Sequence, residues 1–203
     1  MIRTIISDMG NVVLFFDHMI FIRKAAEFSV HSPKKIFSIL KNNIDLIQDF
    51  SRGKIEPEAY VEQMTRLIEA DIEPQKFTAI YRDIFSVNRQ ALNALEEMRD
   101  SKQLVLLSNT DSIHFNYIKA TFPEMFIFDE YILSYETGTL KPEIEIYSTA
   151  LEKAGISPGE AVFIDDLEVN VEAAVKLGMQ GIVYRKGLDL REELSRIINP
   201  SEK

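Results

Sequence analysis

Short runs of apolar, largely β-branched residues alternate along the chain with segments of helical periodicity. Five such runs predict buried strands, at residues 4–7, 104–107, 131–133, 161–164 and 181–184. Between the runs, Leu92, Leu95 and Met98 share one helical face, and a later apolar repeat stops at Gly155. Strands that alternate with helices indicate right-handed crossovers and a parallel sheet. The predicted fold class is therefore α/β, with a doubly wound parallel sheet.

The interval between the first two predicted strands is too long for a simple crossover, at about 90 residues where one helix needs about 30. Residues 17–86 carry helical periodicity throughout. Ser32 before Pro33 and Glu56 before Pro57 have the pattern of helix starts. We therefore expect a small helical cap domain, residues 15–87, inserted into a core formed by residues 1–14 and 88–203.

Polar residues stand where the predicted strands end. Asp8 follows the first strand, Ser108 the second, and Asp165 with Asp166 the fourth. Lys141 lies in the loop after the third strand, just before a proline that is expected to begin the next helix. Ligands of open parallel sheets bind outside the carboxyl ends of the strands. These side chains are therefore expected to converge on one crevice.

Three converging carboxylates repel one another unless they are protonated or hold a cation. The chain has no cysteine, and no histidine stands at ligand spacing, so only oxygen ligands are available and Mg²⁺ is favoured over zinc. With such a cation and Lys141 balancing the charge, the Asp8 carboxylate can attack a phosphate ester in line. An aspartyl phosphate would then form and be hydrolysed by water.

Composition narrows the range of partners. The formal charge of −9 disfavours nucleic acid, because clustered Lys and Arg bind phosphate backbones. We find no apolar stretch long enough to cross a bilayer and no credible signal peptide, so no membrane partner and a cytoplasmic location are expected. A small phosphate ester is the expected substrate. The pattern leaves open whether the protein is a monomer or a homodimer.

Four segments resemble, in order and over essentially the whole chain, the four motifs of the haloacid dehalogenase (HAD) superfamily. They are Asp8-Met9-Gly10-Asn11-Val12-Val13, Leu107-Ser108-Asn109-Thr110, Lys141-Pro142, and Phe163-Ile164-Asp165-Asp166 with Asn170. The resemblance implies a Rossmann-like core with a helical cap inserted after the first motif.

The same resemblance implies a role for each matching residue. Asp8 would be the nucleophile and Lys141 its catalytic partner. The metal ligands would be Asp8, the Gly10 carbonyl, Asp165 and Asp166, with Asn170 supporting the acidic pair. Phosphate or substrate would be bound by Asn11, Ser108, Asn109 and Lys141.

One position departs from the commonest pattern of HAD phosphatases, which carry a second aspartate as general acid and base where this chain has Gly10. Three hypotheses follow. The first is a phosphatase, because the Asp-x-Gly-Asn-Val pattern resembles bacterial enzymes that act on α-D-glucose 1-phosphate and related sugar phosphates. The second is a 2-haloacid dehalogenase, which has no use for the acidic pair. The third is a catalytically weakened protein that binds a phosphometabolite or regulates.

Some residues keep a plainer interpretation beside the functional one. Asp17 and His18 enter the cap, where they would contact either substrate or solvent. Ser108 would serve either phosphate or, as an N-cap, the helix expected near Asp111. Cap side chains are expected to set substrate choice.

Overall fold

The structure, a computed structural model, describes residues 1–199, so residues 200–203 of the predicted core lie outside the described residues. The strands in this part of the chain are β1 (Thr4–Ser7), β2 (Leu14–Phe16), β3 (Phe85–Val87), β4 (Gln103–Ser108), β5 (Glu130–Leu133), β6 (Ala161–Asp165) and β7 (Gln180–Val183). Five of them form a sheet in the order β5-β4-β1-β6-β7, with every pairing parallel. All five predicted strands are present, and the α/β prediction is confirmed.

Helices cover both faces of this sheet. Those outside the insertion are α6 (Arg89–Glu96), α7 (Ser112–Thr121), α8 (Ser134–Thr137), α9 (Ile144–Ala154), α10 (Glu168–Lys176) and α11 (Leu190–Ile198), with single 3-10 turns at Pro123–Met125 and Pro158–Glu160. Successive β1 residues point to opposite sides, because side chains alternate along a strand. Ile5 packs with α6, α7 and α11, whereas Ile6 packs with α9 and α10.

The insertion between β2 and β3 contains five helices: α1 (His18–Ala26), α2 (Pro33–Asn42), α3 (Ile44–Ser51), α4 (Pro57–Leu67) and α5 (Pro74–Arg82). The predicted starts at Pro33 and Pro57 are confirmed, and the Ser32 side chain accepts a hydrogen bond from the Lys35 N–H. The helices enclose a core of their own, in which Tyr60 and Phe77 are fully buried.

The insertion joins the core through a short antiparallel ribbon of β2 and β3, in which Phe16 pairs with Phe85. The expectation of helix throughout residues 17–86 is therefore wrong at its end, where residues 85 and 86 belong to β3. The predicted domain boundaries at residues 15 and 87 stay a prediction, and both residues lie within this ribbon. Within the described part of the chain, no helix is both long and apolar enough to cross a membrane.

Candidate active site

A buried lysine and two carboxylates form the centre of the site at the carboxyl edge of the sheet. Asp8 directly follows β1, and Asp165 is the last residue of β6, the strand beside it. Lys141 Nζ lies 2.6 Å from Asp8 Oδ1 and 2.7 Å from Asp165 Oδ2. The structure brings these three predicted residues together, and the lysine side chain between the two carboxylates is only 1% exposed.

Asp165 is fully enclosed, and protein groups engage both of its oxygens. Oδ1 accepts hydrogen bonds from the Leu167 N–H at 2.8 Å and from Asn170 Nδ2 at 3.0 Å. Oδ2 accepts from Lys141 and, at 3.1 Å, again from Asn170. Asn170 therefore faces inward and holds Asp165, and its support of the acidic pair stays a prediction.

Asp166 is more exposed than Asp165 and lies opposite the loop that follows β1. Its Oδ2 accepts a hydrogen bond from Asn11 Nδ2 at 3.0 Å, and Asn11 adopts the left-handed conformation, with φ of 54°. One carboxylate oxygen from each of Asp8, Asp165 and Asp166 lies within 4.8 Å of the other two. Opposite oxygen ligands of an octahedral Mg²⁺ stand about 4.2 Å apart. The donor set and its spacing therefore fit a hard divalent cation.

The charges at this centre shift the protonation of its members. Burial raises the pKa of Asp8 to about 7, and the charge of Asp165 acts in the same direction, while Lys141 opposes both. Burial alone would lower the pKa of Lys141, but the two carboxylates overcome this and raise it. The lysine therefore stays positively charged, whereas ionisation of Asp8 is less favourable in the folded protein than in water.

The loop that carries Lys141 is fastened by Asn109. The Asn109 side chain donates to the Lys141 carbonyl at 3.0 Å and accepts from the Lys141 N–H at 2.8 Å. The loop thus engages the amide oxygen and one N–H of the amide nitrogen, which leaves the second amide N–H and the backbone N–H of Asn109 for the predicted phosphate contact. The expectation that Pro142 begins the next helix is wrong, because α9 begins at Ile144, after a cis Lys141–Pro142 peptide.

Ser108 ends β4 and is buried. The N-cap of the following helix α7 is Asp111, whose side chain accepts from the His114 N–H at 2.9 Å, so Ser108 has no capping role there. The Ser108 side chain instead faces the same space as Asp8.

A cavity of about 300 Å³ opens above these groups, between the core and the insertion. Its floor is formed by Asp8, Gly10, Asn11, Ser108, Asn109, Lys141, Asp166 and Asn170. Its upper wall combines aromatic and aliphatic side chains with polar ones, namely Phe16, His18, Ile47, Ser51, Tyr81, Ile84, Phe85, Thr110, Asp111 and His114. Asp165 lies behind the floor. The cavity can therefore admit a small anionic group at its base and an uncharged group above it.

Two sets of contacts hold the insertion against the core around this cavity. On one side, the guanidinium of Arg52 pairs with both carboxylate oxygens of Glu143 and donates to the Gly138 carbonyl at 3.2 Å. Hydrogen bonding to Arg52 lowers the pKa of Glu143 to about 2. The side chain of Ser134 donates to the Ser51 carbonyl at 2.7 Å next to this pair.

On the other side, a buried polar network joins α5 to α7. Tyr81 donates to Asp111 Oδ2 at 3.1 Å, and His114 Nδ1 lies 2.7 Å from the same oxygen. The other ring nitrogen of His114 lies 3.1 Å from the Tyr81 carbonyl. Asp111 therefore joins the tyrosine of the insertion to the histidine one turn into α7.

The structure gives Asp17 and His18 different roles. Asp17 is the N-cap of α1 and accepts from the Met19 N–H at 2.8 Å, a structural role. His18 lines the cavity, where its ring packs on that of Phe16 with centroids 4.9 Å apart. Phe16 in turn covers Gly10, because a Cβ at position 10 would lie only 2.7 Å from its ring. An aspartate at position 10 would therefore displace Phe16.

Sequence reasoning missed the residues that close the site rather than form its floor. Arg52 and Glu143 are far apart in the chain, and no local pattern marks them as a pair. Asp111 and His114 carry the helical spacing of an N-cap and a side chain one turn later, and this signal was available.

Comparison with known proteins agrees with this geometry. The profile of the haloacid dehalogenase-like hydrolase family matches residues 2–178. The chain is 24% identical to D-ribitol-5-phosphate phosphatase of Bacteroides thetaiotaomicron, across 98% of this chain and 100% of that protein. It is 26% identical to the sesquiterpene phosphatase astK of Aspergillus oryzae, across 97% of this chain and 96% of the relative.

Solved structures give the same result. An enzyme of this family from B. thetaiotaomicron, in complex with magnesium and inorganic phosphate, superposes with a TM-score of 0.78 at 27% identity, over 95% of this chain and 98% of that chain. Because the family profile covers most of the sequence, the chain belongs to the haloacid dehalogenase-like hydrolases.

Proposed function

We propose that this haloacid dehalogenase-like hydrolase is a Mg²⁺-dependent phosphatase, which hydrolyses a small phosphate monoester through a phosphorylated Asp8. The observation that carries the proposal is the placement of Asp8 against Lys141, beside Asp166, at the base of a cavity of about 300 Å³. The relatives named as phosphatases, and the related structure with magnesium and phosphate, support the same reaction.

In this proposal, Asp8, Asp166 and the Gly10 carbonyl would hold Mg²⁺ at the floor of the cavity. The bound cation supplies positive charge that offsets the repulsion between carboxylates and phosphate. Asp165 stays a predicted ligand, and its engaged oxygens support a second role in orienting Lys141. Ser108 and the backbone of Asn109 would bind phosphate oxygens.

The chain's own residues account for both chemical steps. An Asp8 oxygen attacks phosphorus, the bond from phosphorus to the ester oxygen breaks, and the alcohol leaves after taking a proton from water. Lys141 stabilises the charge on the phosphoryl oxygens as they pass through the transition state. A water molecule then attacks the same phosphorus, which releases inorganic phosphate and restores the Asp8 carboxylate.

The finer proposal concerns the substrate. A volume of about 300 Å³ is at the small end of ligand sites, which favours a compact phosphometabolite such as a sugar phosphate. Position 10 provides no general acid, and proton donation to a leaving group is commonly worth about 100-fold to 10,000-fold in rate. Sugar 1-phosphates and acyl phosphates, whose leaving oxygens are less basic than a primary alkoxide, are therefore the preferred candidates.

The test is a phosphate-release screen over sugar 1-phosphates, sugar 6-phosphates, ribitol 5-phosphate and acetyl phosphate, with Mg²⁺ and with EDTA. A parallel halide-release assay with chloroacetate examines the dehalogenase alternative. We expect metal-dependent phosphate release that favours the less basic leaving groups. Halide release, or binding of these esters without turnover, would replace the phosphatase proposal with one of its two alternatives.

A further inference from the structure

Resting on the proposed phosphatase function, we propose that His18 determines specificity by hydrogen-bonding to a hydroxyl of the substrate beyond its phosphate. The structure places this side chain in the upper wall of the cavity, at the first turn of the insertion. The expected ligand class is therefore a polyhydroxylated phosphate ester.

The position of His18 depends on Phe16, whose ring occupies the space that a side chain at position 10 would need. Because Gly10 has no Cβ, the ring of Phe16 can lie directly over the floor of the site. His18 packs against this ring at a tilt of 55°. The three residues thus form a continuous wall from the predicted metal ligand upward. The absence of an acid at position 10 and the presence of this wall are two aspects of one arrangement.

Most of the other titratable groups in the upper wall are already committed. Tyr81, Asp111 and His114 bond to one another, and both nitrogens of the His114 ring are occupied. His18 is exposed on the open side of the cavity. Among residues 1–199, no hydrogen bond to its ring is among the causes of its pKa shift. A ligand can therefore use both of its nitrogens.

The protonation of His18 suits a neutral partner. Partial removal of the ring from water, together with the charge of His114, lowers the pKa of His18, although Asp17 and Asp111 act in the opposite direction. At pH 7 the ring is then mainly uncharged and offers one donor and one acceptor. A hydroxyl group, which both donates and accepts, matches this pair. The phosphate itself is left to Lys141 and the floor.

Binding can be measured without turnover in an Asp8→Asn background. Calorimetry with Mg²⁺ present would compare glucose 1-phosphate, ribitol 5-phosphate and inorganic phosphate on Asp8→Asn alone and with His18→Phe or His18→Gln added. The matched control is His31→Phe, since His31 is a histidine of the insertion that bonds to Glu69 and does not line the cavity. Thermal melting would establish that each variant is folded.

We expect His18→Phe to weaken binding of at least one sugar or polyol phosphate about 10-fold, the value of one hydrogen bond. Binding of inorganic phosphate should change less than about 2-fold. The affinity of the His18→Gln variant for the ester should lie between that of Asp8→Asn alone and that of the variant with His18→Phe. Equal weakening of ester and inorganic phosphate, no weakening of any ester, or the same effect from His31→Phe would overturn the inference. Failure of the wild type to release phosphate would refute the proposed function separately.

Discussion

Replacing Asp8 with asparagine should stabilise the metal-free protein above neutral pH while it abolishes turnover. Asparagine has nearly the shape of the protonated carboxyl group but carries no charge. It therefore removes the repulsion between the two buried carboxylates that contact Lys141. Asp8 and Asp165 each lie within 2.7 Å of Lys141, and the Asp8 side chain is only 11% exposed. A group tuned for chemistry at such a position is expected to reduce stability.

The magnitude follows from the pKa of Asp8, raised from 3.8 to about 7. Ionising Asp8 then costs the folded protein about 4 kcal/mol more than it costs the unfolded chain. A raised folded-state pKa means that stability is fully present below pH 3.8 and is lost as the pH rises through about 7. The variant escapes this loss, so its advantage over the wild type should grow by about 3 kcal/mol between pH 5 and pH 8.

Urea denaturation in EDTA at pH 5 and pH 8 measures this difference, and Mg²⁺ should reduce it by stabilising the wild type more than the variant. The exposed Asp100, changed to asparagine, is the matched control and should leave the pH dependence unchanged. A wild type at least as stable as Asp8→Asn at pH 8 would refute the electrostatic argument. Full turnover by the variant would refute the assignment of the nucleophile.

Further changes test the metal and the contacts between insertion and core. Chelation with EDTA should remove phosphatase activity, and added Mg²⁺ should restore it, as followed by phosphate release. Asp111→Asn removes the buried carboxylate that Tyr81 and His114 share and should cost about 1–3 kcal/mol in urea denaturation; an unchanged midpoint would contradict a stabilising role for this network. Glu143→Gln should cost at most about 1 kcal/mol at pH 7, because its pair with Arg52 is partly exposed. Since the pKa of Glu143 is lowered to about 2, that loss should shrink as the pH falls below 4.5, and a loss independent of pH would argue against the ion pair.

The strands and the floor of the site were predictable because both depend on local signals. A buried parallel strand is a short β-branched run, and the polar residue that ends it must lie at the carboxyl edge of the sheet. The meeting of Asp8 with Asp165 follows from that rule without any knowledge of side-chain geometry, whereas Lys141 reaches them from the loop that follows α8. The same reasoning places Ser108 beside them.

What remained hidden depends on contacts between distant parts of the chain. Strands β2 and β3 have three residues each and pair with one another across a long insertion. The two roles of Asp17 and His18 could not be separated, because neighbouring residues at a helix start point in different directions only once the helix exists. Asn109 offered a phosphate ligand in sequence, but the Lys141 loop competes for its amide.

The pairing of Phe16 with Phe85 has a consequence for how such a protein can diversify. A segment whose two ends already meet costs the surrounding chain little more entropy when it is lengthened, since the cost of closing a loop grows only slowly with its length. The helices of the insertion occupy the position of the loop that joins the two strands of a hairpin, β2 and β3. A different insertion of any size could therefore replace them at this ribbon, with new substrates gained and the phosphate chemistry left intact.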